Sequence, residues 1–312
     1  MRLDSFVAQM LEQTRSQVVQ LIKKGFVHVE DATVLKPGLK LKIGQKITLQ
    51  LPAVETVEQK PVDFDVEILY EDDDLLVVNK PSGLVVHDAP SVKEATLVDW
   101  LRSKGIALST ISGEERHGIV HRLDKGTTGV MVVAKTNEAH RALSKQLEDK
   151  TMGRYYLAVV EPPLKEELTI VEKPIARNPH NRIKMGVVAG GKEAKTAFLR
   201  IQESNTQKQQ LIACKLFTGR THQIRVHLES MSRQIVGDNL YGGGAKQSST
   251  EHILLHALTI YFQHPTTKSF MEISAGFDSI FTEYLRKKFS MEKIDVSKIS
   301  KDIIQQFHSR LS

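Results

Sequence analysis

The sequence predicts an α+β protein with two domains. Its 312 residues are 40% hydrophobic and 26% charged, which is ordinary for a soluble globular chain with one large core and a small satellite domain. Strand-like and helix-like patterns are mixed along the chain without a regular alternation of strand and helix, which favours the α+β class. The chain also lacks the long uncharged apolar run that a membrane span requires, so we do not expect a membrane protein.

Basic residues are concentrated at the start of the chain. Residues 1–50 hold 8 Lys and Arg against 4 Asp and Glu, so that +4 of the net charge of +6 lies there. A cationic face binds polyanions because each neutralised phosphate releases counterions. Nucleic acid is the expected partner, and a solvated charged surface is the alternative that charge alone leaves open.

Two helices and two strands are predicted in this basic segment. Apolar residues recur at helical spacing from Phe6 to Leu11, and residues 16–25 form a second amphipathic segment that ends in a lysine pair and a glycine. Alternating residues over 26–29 and 46–51 predict strands, with Pro-Gly and Gly turns between them. Residues 53–61 have little apolar periodicity and a proline on each side, so they are the predicted linker.

The string RLDSFVAQMLEQTRSQVVQLIKKGFVHVE, followed by a Lys-Pro-Gly turn and LKIGQKITL, resembles the S4-like RNA-binding domain. The resemblance covers about fifty residues and implies a small RNA-binding domain over residues 1–52. It also implies a set of residues on or near the RNA-facing helix surface: Arg2, Arg15, Ser16, Lys23 and Lys24.

A second, larger domain is predicted over residues 62–290. Its strands and helices follow from alternating and helical apolar patterns, respectively. We predict two short strands joined by an acidic turn over 66–81, strands over 154–160 and 210–217, and helices over 137–149 and from Thr221. The remaining residues, 291–312, are weakly amphipathic and lysine-bearing, and we treat them as a C-terminal tail of unknown role.

The stretch HRLDKGTTG places one carboxylate, Asp124, between two basic residues and just before the apolar run VMVVA. One interpretation is a tight turn, because Asp, Gly and Thr all support backbone reversals. The other is an acid at the edge of an apolar sheet, kept ionised by its basic neighbours and able to act as a nucleophile or base.

A second polar cluster lies in FTGRTHQIRVHL. Thr221 is predicted to cap a helix with apolar positions Ile224, Leu228 and Met231. That cap would leave Arg220 outside the helix and free to reach a carboxylate, and a purely structural ion pair is the alternative. The histidines of these two clusters do not have the spacing of a known metal-ligand set, so no metal site is predicted.

The single cysteine, Cys214, cannot form an internal disulfide or a Cys-rich zinc site, and a buried apolar role is expected for it. The N-terminal sequence MRLDSFVAQM interrupts the apolar core that a secretory signal would need. Together these features predict a cytoplasmic location.

Four segments, VVNKPSGLVVH, HGIVHRLDKGTTGVMVVAKT, RYYLAVV and FTGRTHQIRVHL, resemble in this order the motifs of the RluA-type pseudouridine synthases. Two positions depart from the usual family pattern: His87-Asp88 where the family often has His-Pro, and Thr127-Thr128-Gly129 where it often has Thr-Ser-Gly. The resemblance implies a mixed, largely antiparallel central sheet with flanking helices. It also implies isomerisation of uridine in RNA to pseudouridine, a reaction that needs no cofactor and no metal.

The family's functional positions map onto four residues of this chain. By the resemblance, Asp124 attacks ribose carbon 1′ or removes the 2′ proton, and the two routes stay open. Arg220 would be the basic residue paired with that acid. Tyr156 would stack on the target base and could transfer a proton at carbon 5, and Arg122 would take the place of the extruded nucleotide.

The expected substrate is large-subunit ribosomal RNA, because an S4-like module joined to this catalytic type resembles the synthases of that RNA; transfer RNA is the alternative. A noncatalytic RNA-binding or ribosome-assembly factor on the same fold is a second class, and the intact Asp124, Tyr156 and Arg220 argue against it. A metal-dependent hydrolase acting on RNA is a third class, which a divalent-metal requirement would favour. No obligate protein partner is indicated.

Overall fold

The computed structural model describes residues 1–11, 15–50, 60–89, 92–111, 117–242, 250, 252–291 and 295–311. The chain divides into two compact units, Met1–Pro61 and Val62–Ser312. Most of the predicted linker, residues 53–59, lies outside the described residues. In the described parts, no helix is both long and apolar enough to cross a membrane.

The first unit packs two helices against a small antiparallel sheet. Its core is formed by six buried residues from the helices and the first strand: Leu3, Val7, Val18, Ile22, Val27 and Val29. The helices are α1 (Leu3–Met10) and α2 (Arg15–Lys23), and the strands are β1 (Val27–Val29), β2 (Ala32–Thr33) and β3 (Ile47–Leu49), in the order β2-β1-β3. The helical and strand periodicities predicted for this segment are present.

The second unit contains one ten-stranded sheet together with several helices. Its strands, in chain order, are β4 (Glu67–Glu71), β5 (Leu75–Lys80), β6 (Thr128–Ala134), β7 (Gly153–Glu161), β8 (Leu168–Glu172), β11 (Lys195–Glu203), β12 (Gln210–Leu216), β13 (Gln234–Ile235), β14 (Leu255–Gln263) and β15 (Phe270–Ser274). A separate hairpin is formed by β9 (Ile175–Arg177) and β10 (Met185–Val187). The helices are α3 (Leu97–Ser103), α4 (Asn137–Glu148), α5 (Gln223–Glu229), α6 (Ser279–Phe289) and α7 (Val296–Leu311).

The strand order is β4-β5-β6-β14-β7-β12-β11-β8, with β13 beside β7 and β15 beside β14. Within the described residues every strand pair is antiparallel except β6 with β14. Strand β14 therefore joins the two halves of the sheet, although it comes late in the chain. The predicted α+β class and the largely antiparallel mixed sheet are confirmed.

The junction between β6 and β14 requires a glycine. Gly129 pairs with Ala257 and has φ +110°, a conformation that other residues rarely adopt. A Cβ at this position would lie 2.2 Å from the carbonyl oxygen of Ala257. The two strands can therefore approach closely only because this position has no side chain.

The two faces of the sheet carry different cores, because successive side chains of a strand point to opposite faces. On β7, Tyr156 belongs to one buried cluster, while Tyr155 belongs to the other, together with residues of α6 and α7. Ile303 and Phe307 of α7 are 1% and 0% exposed. The expectation that residues 291–312 form a separate tail is therefore wrong: the apolar residues of α7 lie about one helical turn apart and pack against the sheet.

Candidate functional site

A pocket of about 390 Å³ opens where the chain enters β6. It contains all four side chains to which the sequence assigned chemistry: Arg122, Asp124, Tyr156 and Arg220. We call it the Asp124 pocket. Five further ionisable side chains also line it: His121, Glu148, Arg154, His222 and Arg225.

The loop that carries Asp124 is fixed by the segment KPSGL that follows β5. Lys80 is fully buried, and its Nζ donates to the carbonyl oxygens of Pro81 and Leu84, both at 2.8 Å, and of Lys125 at 3.2 Å. Gly83 N–H donates to the same Lys125 oxygen at 2.9 Å. Burial lowers the pKa of Lys80 to about 7, and the negative charge of Asp124 opposes that shift. A buried cation thus ties the end of β5 to the loop that presents the acid.

Asp124 is paired with Arg225. Its Oδ2 accepts from Arg225 Nη1 at 3.2 Å, and both side chains are largely buried. The predicted pairing with Arg220 is wrong in this structure, since Arg220 Nε donates to the carbonyl oxygen of Glu193 at 2.9 Å. Arg220 nevertheless lines the pocket.

The start of α5 explains this difference. The helix begins at Gln223 rather than at Thr221, and its N-cap is His222, in the left-handed conformation with φ 57°. Gln223 Oε1 accepts from Arg220 N–H at 3.0 Å, which holds Arg220 outside the helix. The predicted Thr221 cap is therefore wrong. Arg225, in the first turn of the helix, faces the acid instead.

His222 also approaches the acid. Its Nε2 lies 3.9 Å from Asp124 Oδ1, and its Nδ1 lies 2.8 Å from the hydroxyl of Tyr241. Burial lowers the pKa of His222, with Asp124 acting in the opposite direction. The imidazole is therefore neutral at pH 7, and Arg225 supplies the fixed positive charge next to Asp124.

Tyr156 lies in the middle of the sheet, paired with Cys214 on β12 and Ala257 on β14. It is 4% exposed, and its ring lines the pocket. Burial raises the pKa of Tyr156, and the phenol is therefore protonated at neutral pH. An aromatic ring held in this way provides a flat surface for a base to stack on.

Three further arginines face the pocket: Arg122, Arg154 and Arg220. Among the residues that the structure describes, none of the three pairs with a carboxylate, and the buried Nε of Arg154 has no hydrogen-bond partner. Arg122 is exposed at the pocket, and the other two are partly buried. Unpaired guanidinium groups around a pocket suit an anionic ligand such as a nucleic-acid backbone.

Two histidines of the sequence clusters, His227 and His121, form hydrogen bonds to protein groups. His227 Nδ1 lies 2.9 Å from the Thr196 hydroxyl, and its Nε2 lies 3.1 Å from the carbonyl oxygen of Lys173. His121 Nε2 accepts the N–H of Val132 at 3.2 Å, and burial lowers the pKa of this histidine to about 3. Both rings are thus occupied by protein groups.

Asp72, Asp74 and His264 form a candidate metal cluster outside the Asp124 pocket. Asp72 and Asp74 lie in the turn between β4 and β5, and His264 follows the end of β14. His264 Nδ1 accepts N–H groups from Thr266 and Thr267, so that its Nε2 carries the proton and donates to Asp72 at 2.7 Å. The imidazole therefore has no free lone pair for a metal.

Comparison with known proteins decides the family. The model of the RNA pseudouridylate synthase family matches residues 74–230, and that of the S4 domain matches residues 1–47. A protein of Helicobacter pylori named "Uncharacterized RNA pseudouridine synthase" is 47% identical over 94% of this chain and 92% of its own length. The chain belongs to the RNA pseudouridylate synthase family. This pseudouridine synthase is therefore an isomerase with an S4 RNA-binding domain at its N-terminus.

Two further relatives refine this picture. The "Ribosomal large subunit pseudouridine synthase D" of Zymomonas mobilis is 38% identical to this synthase over 88% of the present chain and 89% of its own. In fold, the synthase resembles the structure of "Human RNA Pseudouridylate Synthase Domain Containing 1", with a TM-score of 0.56 and 23% identity over 68% of this chain and 84% of the human one.

In the S4 domain of the synthase, Arg2 and Arg15 both bind one buried carboxylate. Their Nη2 atoms lie 2.9 Å and 2.8 Å from Asp4 Oδ2, and each arginine side chain stays about half exposed at 51% and 55%. Lys23 and Lys24 are exposed, and the side chain of Ser16 lies outside the described residues. The hydrogen bond from Arg2 is the main reason why the pKa of Asp4 is well below its usual range. Asp4 thus fixes two exposed guanidinium groups side by side.

The sequence analysis missed four residues of the synthase's site: His222, Arg225, Asp238 and Tyr241. A signal for Arg225 was present, because it lies between Ile224 and Val226 in an apolar helical segment, where an unpaired charge would be costly. Asp238, in VGDNLYGG, has the sequence of an ordinary turn, and nothing local indicates its partner.

Proposed function

We propose that this synthase isomerises uridines of large-subunit ribosomal RNA and that Asp124 is the residue that acts on the ribose. The supporting observation is one carboxylate paired with Arg225 in a pocket that also holds a buried tyrosine and three arginines that pair with no carboxylate of the described residues. A relative named for the large ribosomal subunit, 38% identical to this chain, supports the choice of RNA.

The pocket suits an extruded uridine. The base stacks on Tyr156, and Arg122 occupies the space from which the nucleotide has left, so that the cost of unstacking is partly repaid. Arg154 and Arg220 lie where phosphates of the flipped strand can bind them. We therefore assign Arg220 to RNA binding beside the acid, and Arg225 to pairing with it.

The chemistry balances without a co-reactant. An Asp124 oxygen bonds to carbon 1′, or takes the 2′ proton, as the bond from carbon 1′ to N1 breaks and leaves the uracil with the electron pair. The uracil turns, and carbon 5 bonds to carbon 1′ as the bond from Asp124 to carbon 1′ breaks or, in the second route, as Asp124 returns the proton to carbon 2′. Carbon 5 then loses its own proton and N1 gains one, which restores the free carboxylate. In both routes the carboxylate of Asp124 is the reacting group, and Arg225 donates to it at 3.2 Å.

Mapping of pseudouridines in total cellular RNA tests the choice of substrate. Cells without this protein should lose one or a few pseudouridines from large-subunit ribosomal RNA. Expression of the wild-type chain should restore them, and expression of the Asp124→Asn chain at the same level should not. An intact ribosomal map together with a missing transfer-RNA pseudouridine would show that transfer RNA is the substrate.

A further inference from the structure

Asp238 is a buried carboxylate directly behind Arg225. Its side chain is 1% exposed, and its two oxygens accept from Arg225 Nε and Nη2, both at 2.8 Å. Oδ1 also accepts the N–H groups of Leu240 at 3.0 Å and Tyr241 at 3.1 Å. The carboxylate therefore has charged or backbone donors on both oxygens and is held in one orientation.

The turn that carries Asp238 cannot shift easily. Gly237 has φ +85°, and a Cβ there would lie 2.2 Å from the carbonyl oxygen of His252. Gly242 N–H donates to the Asp238 carbonyl oxygen at 2.8 Å. The backbone on both sides of the carboxylate is thus fixed by close contacts.

Arg225 consequently has little freedom. Asp238 binds the edge formed by its Nε and Nη2, its Nη1 points to Asp124 at 3.2 Å, and the ring of Tyr241 lies 4.8 Å from its Cζ. Its side chain is 11% exposed. Without Asp238, the same guanidinium could rotate, since only one hydrogen bond to Asp124 would remain.

We propose that Asp238 is a positioning residue that reserves Arg225 for Asp124 and keeps it away from the phosphates of bound RNA. Guanidinium groups bind phosphate and carboxylate with the same two-pronged geometry, so the RNA that fills the pocket competes for Arg225. Arg225 remains bound to Asp238 rather than to phosphate, because the two hydrogen bonds to this buried carboxylate form in a region of low dielectric. This inference rests on the proposed role of Asp124.

The substitution Asp238→Asn keeps the shape but removes the charge. Arg225 is then held less firmly, and it either pairs with Asp124 alone or turns to a phosphate of the RNA. Both changes disturb the geometry of the pair formed by Asp124 and Arg225. We expect the rate constant at saturating enzyme to fall about 10- to 100-fold, the range that small misplacements of catalytic groups cause. The enzyme concentration for half-maximal rate should stay the same or fall, because a released arginine can bind phosphate.

The pH profile should also move. The Asp238 charge lies directly behind Arg225, so its removal changes the electrostatic field in the pocket, and the acid limb of the rate should move from its wild-type position by about half a unit or more. His222, Lys80, Tyr156 and Arg122 also face Asp124 or its loop and are unchanged in this variant. Loss of the Asp238 charge lowers the pKa of His222 further, which leaves that ring neutral.

The experiment measures single turnovers with excess full-length enzyme on a mixture of unmodified large-subunit ribosomal and transfer RNA transcripts, between about pH 5 and about pH 9. The variants are Asp238→Asn, Asp238→Glu and, as a matched control, Asp72→Asn. Asp72 is also bonded by two backbone N–H groups and by side chains, but it lies at the other end of β6. Its substitution should lower stability and leave both the saturated rate and the acid limb at their wild-type values.

Asp238→Glu retains the charge and displaces it, so its rate should fall while the acid limb stays in place. If Asp238→Asn does not fold, Asp238→Glu provides the test: its rate should fall while the enzyme concentration for half-maximal rate stays unchanged. Wild-type rates and acid limbs in both Asp238 variants would overturn the proposal. Modification of transfer RNA alone by the wild-type enzyme would refute only the ribosomal assignment. Activity in a parallel Asp124→Asn sample would refute the role of Asp124 and, with it, the role of Asp238 that rests on it.

Discussion

The proposed chemistry depends on the carboxylate of Asp124. Asp124→Asn keeps the size of the side chain and can still accept from Arg225, but it removes the anion that attacks carbon 1′ or takes the 2′ proton. Turnover should be lost while RNA affinity changes little. Single-turnover assays with excess enzyme, together with binding to the same RNA, measure both quantities.

Glu148 offers a matched control for that substitution, because it is an exposed carboxylate at the same pocket. Glu148→Gln should leave turnover intact. Formation of pseudouridine by folded Asp124→Asn would show that Asp124 only shapes the turn, which is the interpretation that its sequence alone also allowed.

Lys80 supports the acid's loop from inside the protein. Lys80→Met keeps the length of the side chain but removes one donor from each of three carbonyl oxygens, of which that of Lys125 keeps the N–H of Gly83, so the variant should lose about 2 to 4 kcal/mol of unfolding free energy. Urea denaturation measures this loss, and an unchanged midpoint would contradict the assigned role of Lys80.

The same residue predicts a pH dependence. The pKa of Lys80 is about 7 in the folded protein and near the ordinary value of 10.5 in the unfolded chain. Between these values the unfolded chain binds more protons, so the stability of the wild type should rise with pH from about 7 to about 10.5. Lys80→Met should lack this rise, which comparison of the two proteins at several pH values will show.

For single residues, the sequence predicted which side chains share the pocket but not which of them form hydrogen bonds with each other. Asp124, Tyr156, Arg122 and Arg220 share one pocket, as the motifs indicated. The partner of Asp124 was assigned wrongly, because the start of α5 decides which arginine faces the acid. That start has His222 as its N-cap, without a side-chain cap hydrogen bond, and Gln223 holds Arg220 outside the helix. Helix boundaries are the least certain feature of a sequence pattern.

Among the elements, the contact between β6 and β14 depends most clearly on one residue. Gly129→Ala must place a Cβ against the Ala257 backbone at a positive φ, so it should cost about 3 kcal/mol or more. Gly83 is the matched control, since it also has a positive φ, +80°, but nothing lies within 4 Å of its added Cβ. Gly83→Ala should cost only about 1 kcal/mol. Thermal unfolding of both variants measures the difference, and equal losses would contradict this account of the contact.

Local pattern predicted some of the long elements but not others, such as β11, β14 and α7, and it did not predict their arrangement. The predicted helix over 137–149 is α4, Asn137–Glu148, and the predicted strands over 154–160 and 210–217 lie within one residue of β7 and β12. The short strands β9, β10 and β13 were not predicted, because two or three residues carry no periodicity. Helix α7 was missed because its few apolar residues are recognisable as a buried face only once the sheet is present.

For the whole molecule, the two compact units predict separable RNA binding and catalysis. Removal of residues 1–60 should leave a folded catalytic unit that modifies RNA slowly at high concentration, because the Asp124 pocket lies entirely in the second unit. Binding to a ribosomal RNA fragment should weaken and depend less on salt, by about one unit of log–log slope for each lost phosphate contact.

A full-length Lys23→Gln/Lys24→Gln variant provides the control for that truncation. Both lysines are exposed and outside the Asp4 ion pairs, so the variant should lose up to about two units of slope without loss of fold. Equal salt slopes for wild-type, truncated and double-variant protein would show that the first unit does not anchor RNA.

The position of β14 in the sheet has a consequence for synthesis. This strand lies between β6 and β7, yet it is translated about a hundred residues after them. Until residue 263 has left the ribosome, β6 and β7 each present an unpaired edge, and such edges invite wrong pairing. Asp124 precedes β6 and Tyr156 lies on β7, so a growing chain cannot bring acid and tyrosine together before its central strand is inserted. The enzyme therefore becomes active only after β14 has been translated, and the interval before that is when the nascent chain most needs protection from aggregation.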